Sequence, residues 1–264
     1  MSLPDSLWLV GCGNMGGAML RRWIDAGLEP VRVVVIDPGS PAVPDGVQVV
    51  DRPPPGDAPS ALVLAVKPQM LGAVAPALAG IRPPLLLSIL AGVEEAALAA
   101  RIDADAIVRA MPNLPVAIGR GVTALHARGA APEARAAAEA LAAPLGAVEW
   151  IADEALFDAV TALSGCGPGF VFRFIDALAQ AGTALGLPAE QAARLALATV
   201  EGAAAMASGS SESPAVLADR VASPGGSTRE GLNVLDRDGA LNRLVAATLR
   251  AARDRNIELA AAAR

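Results

Sequence analysis

The chain has no tyrosine, one histidine (His126), one lysine (Lys67) and two cysteines (Cys12 and Cys166) in 264 residues. Each shortage removes a class of chemistry. Without tyrosine there is no Tyr-Lys pair of the short-chain dehydrogenase kind. One histidine and two distant cysteines cannot assemble a catalytic zinc site, so no metal is expected. Each cysteine sits in a glycine-rich stretch, which argues against a disulfide framework and fits a reducing, cytoplasmic compartment. His126 lies in an Arg/Gly/Ala stretch and is expected at the surface, since a general base needs a positioned partner. All other Lys/Arg positions are arginine, so the retained Lys67 points to a position that wants a compact ammonium, with chance retention as the alternative. A net charge of -6 speaks against nucleic acid or an anionic membrane as partner. The most apolar runs, 85–93 and 170–187, are too short or carry Arg173 and Asp176, and neither reads as a membrane span. No charged, then apolar, leader precedes the first strand, so no signal peptide is expected.

What is present centres on residues 7–19, LWLVGCGNMGGAM. Four apolar residues, 7–10, read as a buried strand. The turn Gly11, Cys12, Gly13, Asn14, Met15, Gly16 follows, and then a helix over 17–26. This is the G-x-G-x-x-G pattern in its strand–turn–helix setting. Gly11 permits the tight turn, Gly13 a close approach of backbone to a pyrophosphate, and Gly16 close packing of helix on strand. The helix N-terminus offers free N–H groups to the phosphates.

Residues 31–36, VRVVVI, give a second strand ending at Asp37, about twenty residues past the turn. An acid there takes the ribose 2′-hydroxyl of NAD and repels a 2′-phosphate; a turn aspartate before Pro38 and Gly39 is the competing role. Further strands are expected at 47–50, 61–66, 85–90 and 106–110, with a helical stretch over 69–78. Their alternation with helices implies a doubly wound parallel sheet of the Rossmann type. The strand ends at Gly11, Asp37, Lys67, Ala91 and Asn113 should gather on one edge. Residues 121–125, a helix over 132–143 and a strand over 148–151 complete a dinucleotide-binding domain, 1–152. Alanine-rich helices then take over, giving an all-α domain, 153–264. Helices are expected at 153–163, 170–185, 188–207 and 215–222, with a break at 164–168 between the first two. Their apolar faces exceed what one small bundle can bury, which predicts a homodimer with interleaved helices; an ordinary monomeric bundle is the alternative.

The helical half holds a second glycine turn, ASPGGSTREG at 222–231. Ser227 and Glu230 fit a capping box that starts a helix. Gly225 and Gly226 free the backbone to curl round a small anion at that helix N-terminus, with the Thr228 hydroxyl beside it. An ordinary interhelical loop is the alternative.

Taken together, GCGNMG (11–16), AVKPQ (65–69), AMPNLP (110–115), ALSGCGPGF (162–170) and ASPGGSTREGL (222–232) resemble pyrroline-5-carboxylate reductases. The motifs keep the family's order and span nearly the whole chain. The resemblance implies reduction of L-1-pyrroline-5-carboxylate to L-proline with NADPH or NADH, the last step of proline synthesis. It also implies a Rossmann domain followed by a helical dimerisation domain, often assembled into decamers. By position, Gly11 to Gly16 would cradle the pyrophosphate. Ala65, Val66, Lys67 and Pro68, with Ile89, Leu90 and Ala91, would line nucleotide and nicotinamide, and Asn113 belongs to a motif near the nicotinamide. Ser223, Gly225, Gly226, Ser227 and Thr228 match the substrate loop, and Glu154 an acidic position close to the substrate. Thr228 is the candidate catalytic contact to the imine nitrogen, because an imine accepts hydride poorly until it is protonated or hydrogen-bonded.

Three residues depart from the family pattern. Cys166 replaces a serine and Gly169 an alanine. Asp37, followed by Pro38, Gly39 and Ser40, lacks the arginine that holds the 2′-phosphate of NADPH, which tilts the expectation toward NADH. A cyclic-imine or beta-hydroxy-acid reductase would share the first glycine turn. The hydroxy-acid group relies on a lysine in its helical domain, and residues 153–264 contain none. A catalytically inactive nucleotide-binding homologue would leave two intact motifs without a purpose.

Overall fold

The computed structural model describes residues 2–262. It divides into two compact units: one runs up to Cys166 and includes the residues from Ala252 onward, the other is Gly167–Ala251.

The first unit begins with strand β1 (Leu7–Val10) and helix α1 (Asn14–Asp25), followed by β2 (Val33–Ile36), β3 (Gln48–Val50) and β4 (Ala61–Leu64). Helix α2 (Leu71–Val74) lies between two 3-10 turns, Pro68–Met70 and Ala75–Leu78. Then come β5 (Leu85–Ser88), α3 (Glu95–Ala99), β6 (Ala106–Pro112), β7 (Gly121–His126), α4 (Pro132–Ala142) and β8 (Gly146–Trp150). The strands form one sheet in the order β3-β2-β1-β4-β5-β6-β7-β8. Its first half, reversing direction of travel at β1, is the doubly wound arrangement the alternating pattern predicts.

The strands are apolar on both faces because both faces are covered. Leu7 and Leu9 of β1 point into one layer with Met19 and Trp23 of α1 and Leu141 of α4. Trp8 and Val10 point into the other, with Leu71, Leu78 and Leu98. Trp23 is fully buried, and its Nε1 donates to the Leu141 carbonyl at 2.7 Å, tying α1 to α4 across the sheet face.

One pairing departs from the all-parallel expectation: β7 runs antiparallel to β6. The link between them, 113–120, holds only a 3-10 turn, Leu114–Ile118. A parallel return needs a dozen or more residues, so this link can only make a reversal.

The change of composition after Ile151 does not coincide with the edge of the first unit. A short helix α5 (Phe157–Val160) still packs on the sheet, where Phe157 is buried with Met111 and Ala124. At the break expected at 164–168, a π-turn, Thr161–Gly165, is followed by a bend at Cys166 before the next helix starts at Gly167.

In the second unit, α6 (Gly167–Ala184) and α7 (Ala189–Ser208) pack together. A Cβ on Gly182 would lie 3.4 Å from the Ala192 side chain, so glycine permits the close approach. Helices α8 (Pro214–Arg220), α9 (Ser227–Asp236) and the start of α10 (Ala240–Ala262) follow. Between α9 and α10 the chain kinks at Asp238, which has φ 54°. Little of this unit is buried by its own chain. Ala192 and Ala196 are buried, whereas Phe172, Phe174, Leu195 and Met206 are each at least half exposed. By length and composition alone, the helical segment Glu154–Ala184 is apolar enough to cross a membrane.

Candidate active site

The first glycine turn closes tightly around β4. Gly11 has φ 87°, and a Cβ there would lie 2.7 Å from Val66 and 2.9 Å from the Ala65 backbone. A Cβ on Gly16 would lie 2.7 Å from the Gly11 carbonyl oxygen. Gly13 differs: a Cβ there would meet nothing within 4 Å. It caps α1 without a side-chain hydrogen bond. The first two glycines are therefore required by packing, and Gly13 faces open space beside the uncapped helix N-terminus. Helix α1 starts at Asn14, three residues earlier than expected, so more of the turn contributes N–H groups pointing outward.

A cavity of about 460 Å³ opens from this turn, lined by Gly11, Gly13, Asp37, Asp51, Val66 and Lys67 among others. The Asp37 carboxylate is fixed in it. One oxygen accepts the Cys12 N–H at 2.8 Å and the other the Gly39 N–H at 2.8 Å. Burial pushes the Cys12 thiol up, and the Asp37 charge adds to that push against a smaller opposing effect of Arg21. Cys12 thus stays a neutral thiol. Lys67 is exposed at the cavity rim.

The ends of β5 and β6 bring Ile89, Leu90, Ala91 and Asn113 to the same strand-end edge as Gly11. Asn113 is fully engaged. Its Oδ1 accepts the Val122 N–H at 2.9 Å, and its Nδ2 donates to the Ser164 carbonyl at 3.1 Å. Pro168 has no N–H to give the carbonyl four residues back, which leaves Ser164 O available for this bond.

In the second unit, the turn before α9 has Gly225 at φ 69°. The Gly226 N–H donates to the Ser223 carbonyl at 3.0 Å, and the Glu230 N–H donates to the Gly226 carbonyl at 3.2 Å. Gly226, not Ser227, is therefore the helix cap, and it makes no side-chain capping bond. The Ser227–Glu230 capping box does not form, because the left-handed Gly225 starts the helix one residue too early for Ser227 to cap it. The consequence is chemical: the first-turn N–H groups have no capping oxygen. Ser223, Ser227 and Thr228 are exposed around them. Arg229 steadies the turn from behind, donating to Asp219 at 2.8 Å.

Residues 154–259 match the family profile described as pyrroline-5-carboxylate reductase dimerisation. Over 96% of this chain and 97% of the relative, the sequence is 39% identical to a pyrroline-5-carboxylate reductase of Synechocystis sp.. The chain belongs to the pyrroline-5-carboxylate reductase family. As a pyrroline-5-carboxylate reductase family member it is an NAD(P)H-dependent oxidoreductase, and its helical half belongs to a homo-oligomer. A solved pyrroline-5-carboxylate reductase from Coxiella burnetii is 31% identical, with a TM-score of 0.86 over 98% of this chain and 99% of that one. The pyrroline carboxylate reductase of Plasmodium falciparum, solved with NADP bound, is 25% identical, with a TM-score of 0.80 over 98% of this chain and 100% of that one. The segment apolar enough to span a bilayer, Glu154–Ala184, lies wholly within the dimerisation match.

Glu154 lies in a charged cluster of the first unit: its Oε1 accepts the Arg109 guanidinium at 2.8 Å and the Glu95 N–H at 2.7 Å, and Arg128 stands 3.6 Å from Oε2. Burial alone would raise its pKa, but the Glu95 N–H and Arg109 outweigh burial, so the carboxyl lies below its ordinary value. His126 is not at the surface as expected. It is the last residue of β7, pairs in register with Arg109, and is 5% exposed. Its Nδ1 is 2.8 Å from the Ile151 carbonyl, and its Nε2 is 3.8 Å from Glu95. The strand runs one residue further than the sequence pattern suggested, and that residue carries the ring inside. Arg109, Glu95 and Arg128 were not singled out from the sequence. The available signal was an arginine inside the otherwise apolar run AIVRAMP, since arginine is rarely buried unless paired.

Proposed function

We infer that this chain reduces L-1-pyrroline-5-carboxylate to L-proline by hydride transfer from a reduced nicotinamide, the last step of proline synthesis. The uncapped N-terminus of α9 carries this reading. A dinucleotide turn alone does not choose a substrate; here a Ser-Pro-Gly-Gly turn follows whose helix N–H groups lack a capping side chain. Such a terminus favours a small carboxylate.

The open space at Gly13 and the free helix end beside it suit a pyrophosphate, with Gly11, Cys12, Asn14, Met15 and Gly16 shaping the cradle. Ala65, Val66, Lys67 and Pro68 line the nucleotide, and Lys67 offers its charge to a ribose or phosphate. Ile89, Leu90 and Ala91, with Asn113 behind them, form the nicotinamide side. Asp37 accepts the ribose hydroxyls and disfavours a 2′-phosphate, so NADH is the preferred donor. When bound, the reduced nicotinamide supplies the hydride that the imine carbon receives.

The substrate carboxylate rests on the N–H groups at 226–228, with Ser223, Gly225 and Ser227 shaping the turn. Thr228 donates a hydrogen bond to the imine nitrogen. Orientation of the reactants, rather than a dedicated base, supplies most of the rate. The assembly is a homodimer with interleaved helices, and decamers built from such dimers are consistent with the family. The exposed Phe172, Phe174 and Leu195 supply an apolar interface. The location is the cytoplasm, consistent with two unpaired cysteines.

The test is direct. Purified protein is mixed with pyrroline-5-carboxylate and either NADH or NADPH, and loss of reduced-nicotinamide absorbance is followed. Substrate-dependent oxidation, faster with NADH, is the expected result; no oxidation with either donor refutes the reading.

A further inference from the structure

We propose that the Arg109–Glu154 ion pair is a positioning device that fixes the loop 89–94 and so sets the affinity of the reductase for reduced nicotinamide. The inference rests on the reading above that residues 89–91 lie beside the nicotinamide.

The loop leaves the sheet at Ser88, which pairs in register with Arg109 on the neighbouring strand. Its near end is held by the sheet: the Ile89 N–H donates to the Leu64 carbonyl at 3.0 Å. Its far end is the start of α3, where no side chain supplies a local cap. Glu154, 59 residues away in sequence, provides the acceptor instead, taking the Glu95 N–H at 2.7 Å. The same carboxylate oxygen takes Arg109 at 2.8 Å. One oxygen thus fastens the far end of the loop to β6, four residues before Asn113.

The clamp is itself braced. The Arg109 guanidinium lies over the Phe157 ring, 4.5 Å from its centroid. Glu95 Oε2 accepts the Arg128 N–H at 2.7 Å, so α3 is also tied to the end of β7. Arg109 and Glu154 side chains are 5% and 14% exposed. A buried ion pair contributes little net stability compared with apolar packing of the same volume. What it supplies here is a fixed direction: both guanidinium and carboxylate must keep their orientation to keep their partners. The depressed pKa of Glu154 keeps the carboxylate charged through the neutral range.

The experiment uses the full chain and two variants, Glu154→Gln and Glu154→Asp. Gln keeps an acceptor for the Glu95 N–H and drops the charge; Asp keeps the charge and shortens the reach. Three quantities are read: the Kd for NADH by quenching of protein fluorescence, the KM for pyrroline-5-carboxylate, and amide hydrogen exchange over 89–95. The proposal expects the NADH Kd to rise by at least about tenfold in Glu154→Gln, with faster exchange confined to 89–95. Glu154→Asp recovers part of the NADH affinity. Unchanged NADH affinity with a general rise in exchange would overturn it and leave a purely structural pair. A raised substrate KM with unchanged NADH affinity would also overturn it, placing Glu154 against the substrate. Wild-type turnover is the separate control. If the wild type binds NADH but reduces no pyrroline-5-carboxylate, the proposed function fails while the Kd and exchange readings still judge the clamp. If NADH fails to protect 89–95 in the wild type, the clamp proposal itself falls.

Discussion

Asp37 and Cys12 are joined by a hydrogen bond of 2.8 Å, from the backbone N–H of the glycine turn to the carboxylate at the end of β2. The bond fixes a negative charge at the rim of the dinucleotide cavity. A 2′-phosphate near it would be repelled, with a cost that grows as solvent is excluded. Asp37→Ser should raise kcat/KM for NADPH relative to NADH by at least about tenfold, the equivalent of about 1.4 kcal/mol. Measurement of both ratios in wild type and variant checks this. A wild type that already prefers NADPH strongly would refute the role given to Asp37.

The two glycines Gly13 and Gly16 should separate binding from folding. A Cβ on Gly16 collides with the Gly11 carbonyl, so Gly16→Ala should destabilise by about 1–3 kcal/mol. A Cβ on Gly13 meets no protein atom, so Gly13→Ala should melt like the wild type yet bind NADH at least about tenfold more weakly, because its methyl occupies the pyrophosphate approach. Thermal melts beside fluorescence titrations distinguish the two variants.

Thr228 should matter to turnover and not to stability. It is exposed, and no capping bond depends on it. Thr228→Ala should lose at least about tenfold in kcat with an unchanged melting temperature, and Thr228→Ser should keep most of the rate. Wild-type turnover in the alanine variant would remove Thr228 from the mechanism.

Glu154 predicts the acid limb of stability. Its folded pKa lies below its ordinary value of 4.5. A carboxyl of this kind contributes stability that is complete above the unfolded value and is lost as pH falls through the folded one. Melting temperatures should therefore fall as pH drops below the ordinary carboxyl value, and Glu154→Gln should flatten that part of the curve. Removing the other partner is also damaging: Arg109→Leu leaves the carboxylate with only the Glu95 N–H and Arg128 and should cost about 1–3 kcal/mol.

Much of the fold was legible in the sequence because two periodicities are strong in it. The apolar runs 61–66 and 85–90 are too short for helices and have Pro or Gly close to both ends, so they read as buried strands. The glycine turn announces its own strand and helix. What was not legible depended on non-local partners. Nothing in the sequence joins Glu154 to the Glu95 N–H, so the acid at 154 could be read only from family position. The antiparallel β7 was hidden because period-2 patterns carry no direction; only the brevity of 113–120 betrays it. His126 was misplaced for a similar reason, since one more residue of strand turns a side chain from solvent to core. The missing capping box at Ser227 depended on the left-handed Gly225 advancing the helix start by one residue.

The most direct test of the whole account is a single pair of progress curves, in which the purified chain and pyrroline-5-carboxylate are mixed with NADH in one cuvette and NADPH in the other. The account predicts nicotinamide oxidation matched mole for mole by proline, with the larger kcat/KM for NADH. Oxidation without proline, or no oxidation in either cuvette, would contradict it.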